Sequence, residues 1–166
     1  MKIIRSTNGY EIPVDDEDYD AIVQFGWFVE FCGRKTKKPR VYTNIGGKKR
    51  AQKVYLSRML MREPLVTVDH DNGDTLDHQR SNLRLATQKQ NSRNRRKHHP
   101  LTSKYKGVSL RRNRRGGEYR ARPWTANISV DGKRMNLGHH EEEIDAAQAY
   151  DRAAIRHFGE FARTNF

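Results

Sequence analysis

The chain has 166 residues, with 33 Lys and Arg against 20 Asp and Glu, a formal net charge of +13. That length allows one medium domain or two small ones, and the basic excess points to a polyanionic partner, because side chains that neutralise phosphates release condensed counterions. The single cysteine, Cys32, excludes an intrachain disulfide and a zinc site built from several cysteines, and no apolar run approaches the roughly 20 residues of a membrane span.

In chain order, residues 1–65 form a strand-rich region. Lys2–Arg5 and 10–14 flank an Asn8-Gly9 turn and predict a hairpin. Asp15 or Asp16 can cap a short helix that carries Tyr19, Ile22 and Val23, with acidic residues in its first turn. Residues 27–31 and 41–45 predict strands around the basic loop 34–40, and Cys32 reads as a small core residue beside Phe28, Val29 and Phe31. Lys48, Lys49, Arg50 and Lys53 follow, so this region is expected to contact DNA.

Residues 66–97 are dense in Asp, His and Asn. A strand over 66–70, turn chemistry at Asn72-Gly73-Asp74 and a strand over 81–85, with Leu83 and Leu85 alternating against Asn82 and Arg84, predict a hairpin. Thr87 with Gln90 three residues on is a capping-box pattern, and the helix it opens would carry Asn91. Hydrolysis of a phosphodiester needs a base for water and a cation for the developing charge. His70 can act as the base, since its unperturbed pKa lies near 6.5. Asp69 and Asn91 can offer oxygens to magnesium or manganese, and Asn82 can brace the loop. The run VDHDNGDTLDHQRSNLRLATQKQNSRNR resembles the core of HNH homing endonucleases, the ββα-metal fold. The resemblance implies His70 as general base, Asp69 and Asn91 as metal ligands, and Asn82 as the loop-holding residue. It implies an endonuclease that nicks or breaks double-stranded DNA, phage-encoded or of the homing type, in a bacterial or phage-infected host cytosol. Asn91 stands where His is commoner, and Ser57 where many relatives carry His.

From Lys89 to Arg122 the only acid is Glu118. A basic linker over 98–104 is expected to track phosphates, together with Arg93, Arg95, Arg96 and Arg112. His98-His99 and His139-His140 have no partners spaced for a metal and read as solvated or phosphate-facing.

Residues 105–166 form the last module. Strands are expected over 105–110, 124–130 and 133–138, with Asp131-Gly132 as a two-residue hairpin turn. Trp124, Ala126, Ile128 and Val130 alternate with Thr125, Asn127 and Ser129, and Met135 and Leu137 alternate with Arg134 and Asn136, so one face is apolar and the other polar. A helix over 141–158 follows, with Ala147, Tyr150, Ala154 and Phe158 on one stripe and Gly159 as its stop. The segments YKGV, WTANISV, KRMNLG, AAQAYDRAAIRHFGE and ARTNF resemble the APETALA-type (ethylene-response-factor) DNA-binding domain. In that family the sheet lies in the major groove. The resemblance implies Lys106, Ser109, Arg111, Asn127, Ser129, Arg134 and Asn136 as DNA-contacting residues. The loop 113–118 is longer than the family pattern, and Ser109, Ser129 and Asn136 stand where Arg or Trp is frequent.

The expectation is therefore an α+β chain. It has a ββα-metal nuclease core behind an N-terminal strand-rich region, and a C-terminal three-stranded antiparallel sheet packed on one helix. Its partner is double-stranded DNA, with no membrane and no obligate protein partner. The alternative is a non-catalytic DNA-binding regulator on an inactive nuclease scaffold, and a structural RNA-binding protein is a third reading.

Overall fold

The computed structural model describes residues 1–33, 38–46, 50–62, 67–95, 102–112 and 119–166, with 112, 119 and 120 described by backbone alone. The architecture is mixed α and β, with antiparallel sheets, and divides into two compact units, Met1–Asn91 and Ser92–Phe166.

In the first unit, β1 (Lys2–Arg5) and β2 (Glu11–Val14) form the expected hairpin, with Ile4 opposite Ile12. Helix α1 (Asp16–Ile22) follows, with Asp16, Glu17 and Asp18 in the first turn, where the dipole favours them. Trp27 is buried and its indole N–H donates to the Ile22 carbonyl at 2.8 Å. Strands β3 (Phe28–Cys32), β4 (Lys38–Ile45) and β5 (Gln52–Tyr55) form one antiparallel sheet. Helix α2 (Leu56–Met61) then buries Leu56 and Leu60.

A second hairpin pairs β6 (Thr67–His70) with β7 (Leu83–Ala86), and α3 (Gln88–Arg93) follows. The capping box forms as read. The Thr87 N–H donates to Gln90 Oε1 at 2.8 Å, and the Gln90 N–H donates to Thr87 Oγ1 at 3.2 Å.

Three expectations need correction here. Residues 81–85 are not one strand: Arg80–Asn82 is a 3₁₀ turn and pairing starts at Leu83, which leaves Leu85 exposed. Cys32 is only half-buried, because its strand parity sets it opposite Val29, on the outer face of the sheet. The expected module 66–97 is not a unit by itself: 67–91 belong to the first compact unit and 92–95 to the second. Leu83 belongs to the same buried cluster as Ile4, Ile12, Val14, Ile22, Trp27, Val29, Val41, Leu56 and Leu60, with Val68 packed against it. Each such side chain contributes about 1.5–3 kcal/mol on burial, and nine of these ten precede residue 65, so the β6–β7 hairpin draws its core from the rest of the unit. Polar bonds join the two as well. Arg80 grips Asp18 through Nε at 2.7 Å and Nη2 at 2.6 Å, and the His78 N–H donates to the Pro13 carbonyl at 2.9 Å.

In the second unit, β8 (Val108–Arg112), β9 (Tyr119–Val130) and β10 (Lys133–His140) form an antiparallel sheet with β9 in the centre. Asp131 (φ 52°) and Gly132 (φ 80°) make the hairpin turn, with both residues left-handed as a type I′ turn requires. Strand β8 starts later than expected because the chain turns at Gly107 (φ 77°). A Cβ at Gly107 would lie 2.0 Å from Tyr150 Cδ2 and 2.7 Å from the Asn127 carbonyl oxygen, so only glycine fits. Strand β9 runs through Pro123, close to a register slip between Leu110 and Arg112, a place where a missing N–H is tolerated.

Helix α4 (Glu143–Phe158) buries Ala146, Ala147, Tyr150, Ala154 and Phe158, and its alanines let it lie close to Val108, Ala126 and Ile128. Gly159 (φ 54°) ends it. Trp124 packs on this core, as read, whereas Met135, opposite Ile128, stays exposed.

Candidate nucleic-acid interface

One face of the β8–β9–β10 sheet carries α4, and the other carries none of the buried apolar residues. Strand parity places Ser109 and Arg111 of β8 on this second face, with Thr125, Asn127 and Ser129 of β9 and Arg134, Asn136 and His139 of β10. The register sets them in rows across the sheet. Ser109 lies opposite Thr125 and Thr125 opposite His139; Asn127 lies opposite Asn136, and Ser129 opposite Arg134. Ser129, Arg134 and Asn136 are exposed, and Ser109, Arg111 and Asn127 half-buried. Six of the residues expected to touch DNA therefore share one surface.

A β-bulge shapes its edge. Between Asn136 and His139 the pairing slips, Gly138 takes φ 111°, and the Asn136 side-chain oxygen accepts the Gly138 N–H at 2.8 Å. The extra residue re-aims the strand and brings His139 onto the polar face. There His139 Nδ1 lies 2.9 Å from Thr125 Oγ1, and Nε2 lies 2.7 Å from Arg111 Nη1. Since a guanidinium only donates, that nitrogen accepts. The sequence places Thr125 only on the polar face of its strand and reads His139 as solvated or phosphate-facing, with no more specific role for either. Strand parity could have given Thr125, whereas His139 depends on a bulge that alternation does not encode.

Two expected contact residues are elsewhere. Lys106 precedes β8 and its ammonium donates to the Arg93 carbonyl at 2.5 Å. Burial, reinforced by Arg163, pushes its pKa down to about 8. Arg93 lays its guanidinium 4.6 Å from the centre of the Phe158 ring and reaches Asp131 at 3.4 Å. These two cations staple the start of the unit to its own turn and helix, and neither belongs to the rows across the sheet. Arg95 is exposed. Arg96, the His98-His99 pair and most of the expected linker 98–104 lie outside the described residues, as does the side chain of Arg112.

In the first unit, the expected catalytic group is arranged differently from the reading. Asp69 is buried and lies opposite Arg84 in the β6–β7 ladder. Arg84 donates to Asp69 Oδ2 from Nη2 at 2.8 Å and from Nε at 3.1 Å, and to Asp71 from Nη1 at 2.7 Å. The carboxylate expected as a metal ligand thus lies in an ion pair with Arg84. Burial pushes the pKa of His70 down to about 4, and its ring meets that of His78 edge-on at 5.1 Å. Asn82 does brace the loop: its Oδ1 accepts the Asn72 N–H and its Nδ2 donates to the Asp77 carbonyl, both at 2.9 Å. Asn91 sits in α3, with its backbone N–H on the Thr87 carbonyl at 2.9 Å.

No family model matches the chain. Among curated proteins it is similar to AP2-like ethylene-responsive transcription factors of Arabidopsis thaliana. It is 37% identical to ANT over 70 residues, which is 39% of this chain and 12% of that protein. It is 39% identical to AIL7 and to At1g79700 over the same length, covering 14% and 22% of those proteins. The chain thus spans less than a quarter of the length of these relatives. The partial similarity supports an AP2/ERF-type domain. It overturns the expectation of an HNH endonuclease, because the relatives are transcription factors rather than enzymes. They are also plant proteins, so they lend no support to a phage or bacterial setting. Among the described residues, no helix is long and apolar enough to cross a membrane.

Proposed function

We propose that this chain is a non-catalytic regulator that binds double-stranded DNA through the polar face of β8, β9 and β10. The observation that carries the reading is the set of aligned rows on that face, built from Ser109, Arg111, Thr125, Asn127, Ser129, Arg134, Asn136 and His139. Such a face can enter the major groove, where each base pair shows its own pattern of donors and acceptors. Arg111 and Arg134 are the guanine-reading and phosphate-binding groups, and Asn127 and Asn136 suit adenine edges. The +13 charge supplies the sequence-independent part of the affinity. The helix behind the sheet holds the rows rigid.

The test is selection of binding sites from a random duplex pool, with and without a metal chelator. A preferred sequence recovered equally in both conditions supports the reading. Binding that shows no sequence preference, or that the chelator abolishes, contradicts it.

A further inference from the structure

The β3–β4–β5 sheet of the first unit has a face that duplex binding by the second unit does not use. Its inner face holds Val29, Val41 and Thr43, all buried. Its outer face carries one aromatic ring on each strand, in a single row. Phe28 lies opposite Tyr42, and Tyr42 opposite Tyr55. The Phe28 and Tyr42 rings are 5.7 Å apart and inclined by 27°, and the Tyr42 and Tyr55 rings are 6.5 Å apart. Phe28 is exposed and the two tyrosines are half-buried.

Cations frame the row. Lys53 Nζ sits 4.1 Å from the centre of the Tyr42 ring, and the Arg40 guanidinium 5.8 Å from that of Tyr55. Lys38 lies on the same face by strand parity. Only one carboxylate of the sheet, Glu30, belongs to this face. It accepts from Lys53 at 2.7 Å and from the Tyr55 hydroxyl at 3.2 Å. The Lys53 ammonium beside it holds its pKa below the ordinary value. Three cations to one anion leave the face positive, and its apolar area is aromatic rather than aliphatic.

We propose that this face is a second nucleic-acid site, one that takes single strands. Every base has a π-face that can stack on Phe28, Tyr42 or Tyr55, while the backbone runs past Lys38, Arg40 and Lys53. Consecutive strands of a sheet are about 4.8 Å apart, so three strands display three rings to successive bases of one extended strand. Lys53, now lying over Tyr42, moves from ring to phosphate when a base arrives. A duplex is a poor occupant, because its bases are already stacked on one another and its edges, not its faces, are accessible.

The test uses the full chain and labelled dT12, U12 and a duplex selected by the second unit. Fluorescence polarisation is measured for the wild type, Tyr42→Leu and Phe28→Leu/Tyr42→Leu, with circular dichroism melts to show that each is folded. Leucine keeps apolar bulk and removes the ring. The expected result is single-strand affinity about tenfold weaker in Tyr42→Leu and weaker again in the double variant, with duplex affinity unchanged. Photocrosslinking of 5-iododeoxyuridine in the dT12 should map to the peptides holding Phe28, Tyr42 or Tyr55. Preference for dT12 or for U12 assigns the strand as DNA or RNA, and either supports the proposal. Unchanged single-strand affinity, crosslinks confined to Ser92–Phe166, or a wild-type dimer that Tyr42→Leu dissociates would overturn it. If duplex binding is absent but these crosslinks form, the second unit's reading fails and this one stands.

Discussion

The buried carboxylate of Asp151 on α4 accepts the backbone N–H of Asn165 on both oxygens, at 2.8 and 3.0 Å, and the Asn165 side-chain amide at 2.9 Å. Asn165 in turn accepts the Lys106 N–H at 2.6 Å, and Asp151 also takes the Phe166 N–H at 3.2 Å. One carboxylate thereby ties the segment after the helix to the start of β8 and fixes the pose of the sheet on α4. Asp151→Ala strands several buried donors and should cost the second unit about 2–4 kcal/mol. A urea titration followed by Trp124 fluorescence checks this. Asp151→Asn, which keeps one acceptor, should lose less.

Gly107→Ala should be at least as damaging, at about 3 kcal/mol or more, because it adds a clash with the Tyr150 ring to a left-handed backbone position. Tyr150→Leu in the same chain removes the ring from the site but leaves the approach to the Asn127 carbonyl and the left-handed strain, so it should restore only part of the loss. A melting temperature for Gly107→Ala equal to that of the wild type would contradict the packing described for α4.

The first unit should be acid-sensitive. Burial pushes His70 and His78 down to about 4, and His70 adds to the effect on His78. The unfolded rings titrate near 6.5, so the folded state favours neutral imidazole. The stability tied to that neutrality is fully present above pH 6.5 and is lost as the pH falls toward 4, by up to about 3 kcal/mol for each ring. His78 Nδ1 donates to the Leu76 carbonyl at 2.9 Å, which fixes its tautomer. Urea midpoints of the first unit at pH 7.5, 5.5 and 4.5 should fall in that order, and His78→Gln should flatten the slope.

Arg93 and Arg134 should separate stability from affinity. Arg93→Ala removes packing on Phe158 and lowers the unfolding midpoint, with little change in duplex affinity while the chain is folded. Arg134→Ala, at an exposed position, leaves the midpoint alone and weakens duplex binding by about 1–3 kcal/mol if it reads a guanine. The reverse pattern would place the interface on the helix side.

Several parts of this were legible in the sequence because the signals are local. Asn8-Gly9 and Asp131-Gly132 name their own turns, Thr87 and Gln90 their own cap, and the alternation from Trp124 to Val130 sorts the two faces of β9. What was hidden depends on register and on tertiary contacts. Asp69 and Arg84 are fifteen positions apart and meet only because β6 and β7 pair in one register. That register sets a guanidinium beside the carboxylate expected as a metal ligand. Arg93 reads as a phosphate contact from its place in the basic run, and Lys106 as a DNA contact from the family resemblance. Only the folded chain shows their charges turned to a carbonyl, a ring and Asp131. The row of Phe28, Tyr42 and Tyr55 was invisible for the same reason, since three strands must align before three distant aromatics share a line.

The most direct test of the duplex-binding account is the affinity for a selected duplex of the wild type against a variant with Asn127, Ser129, Arg134 and Asn136 all replaced by alanine. The account expects the variant to fold, to lose sequence preference and to bind at least a hundredfold more weakly, with a shallower dependence of affinity on salt. A folded variant that keeps wild-type affinity and preference would show that the polar face of this sheet is not where the chain reads DNA.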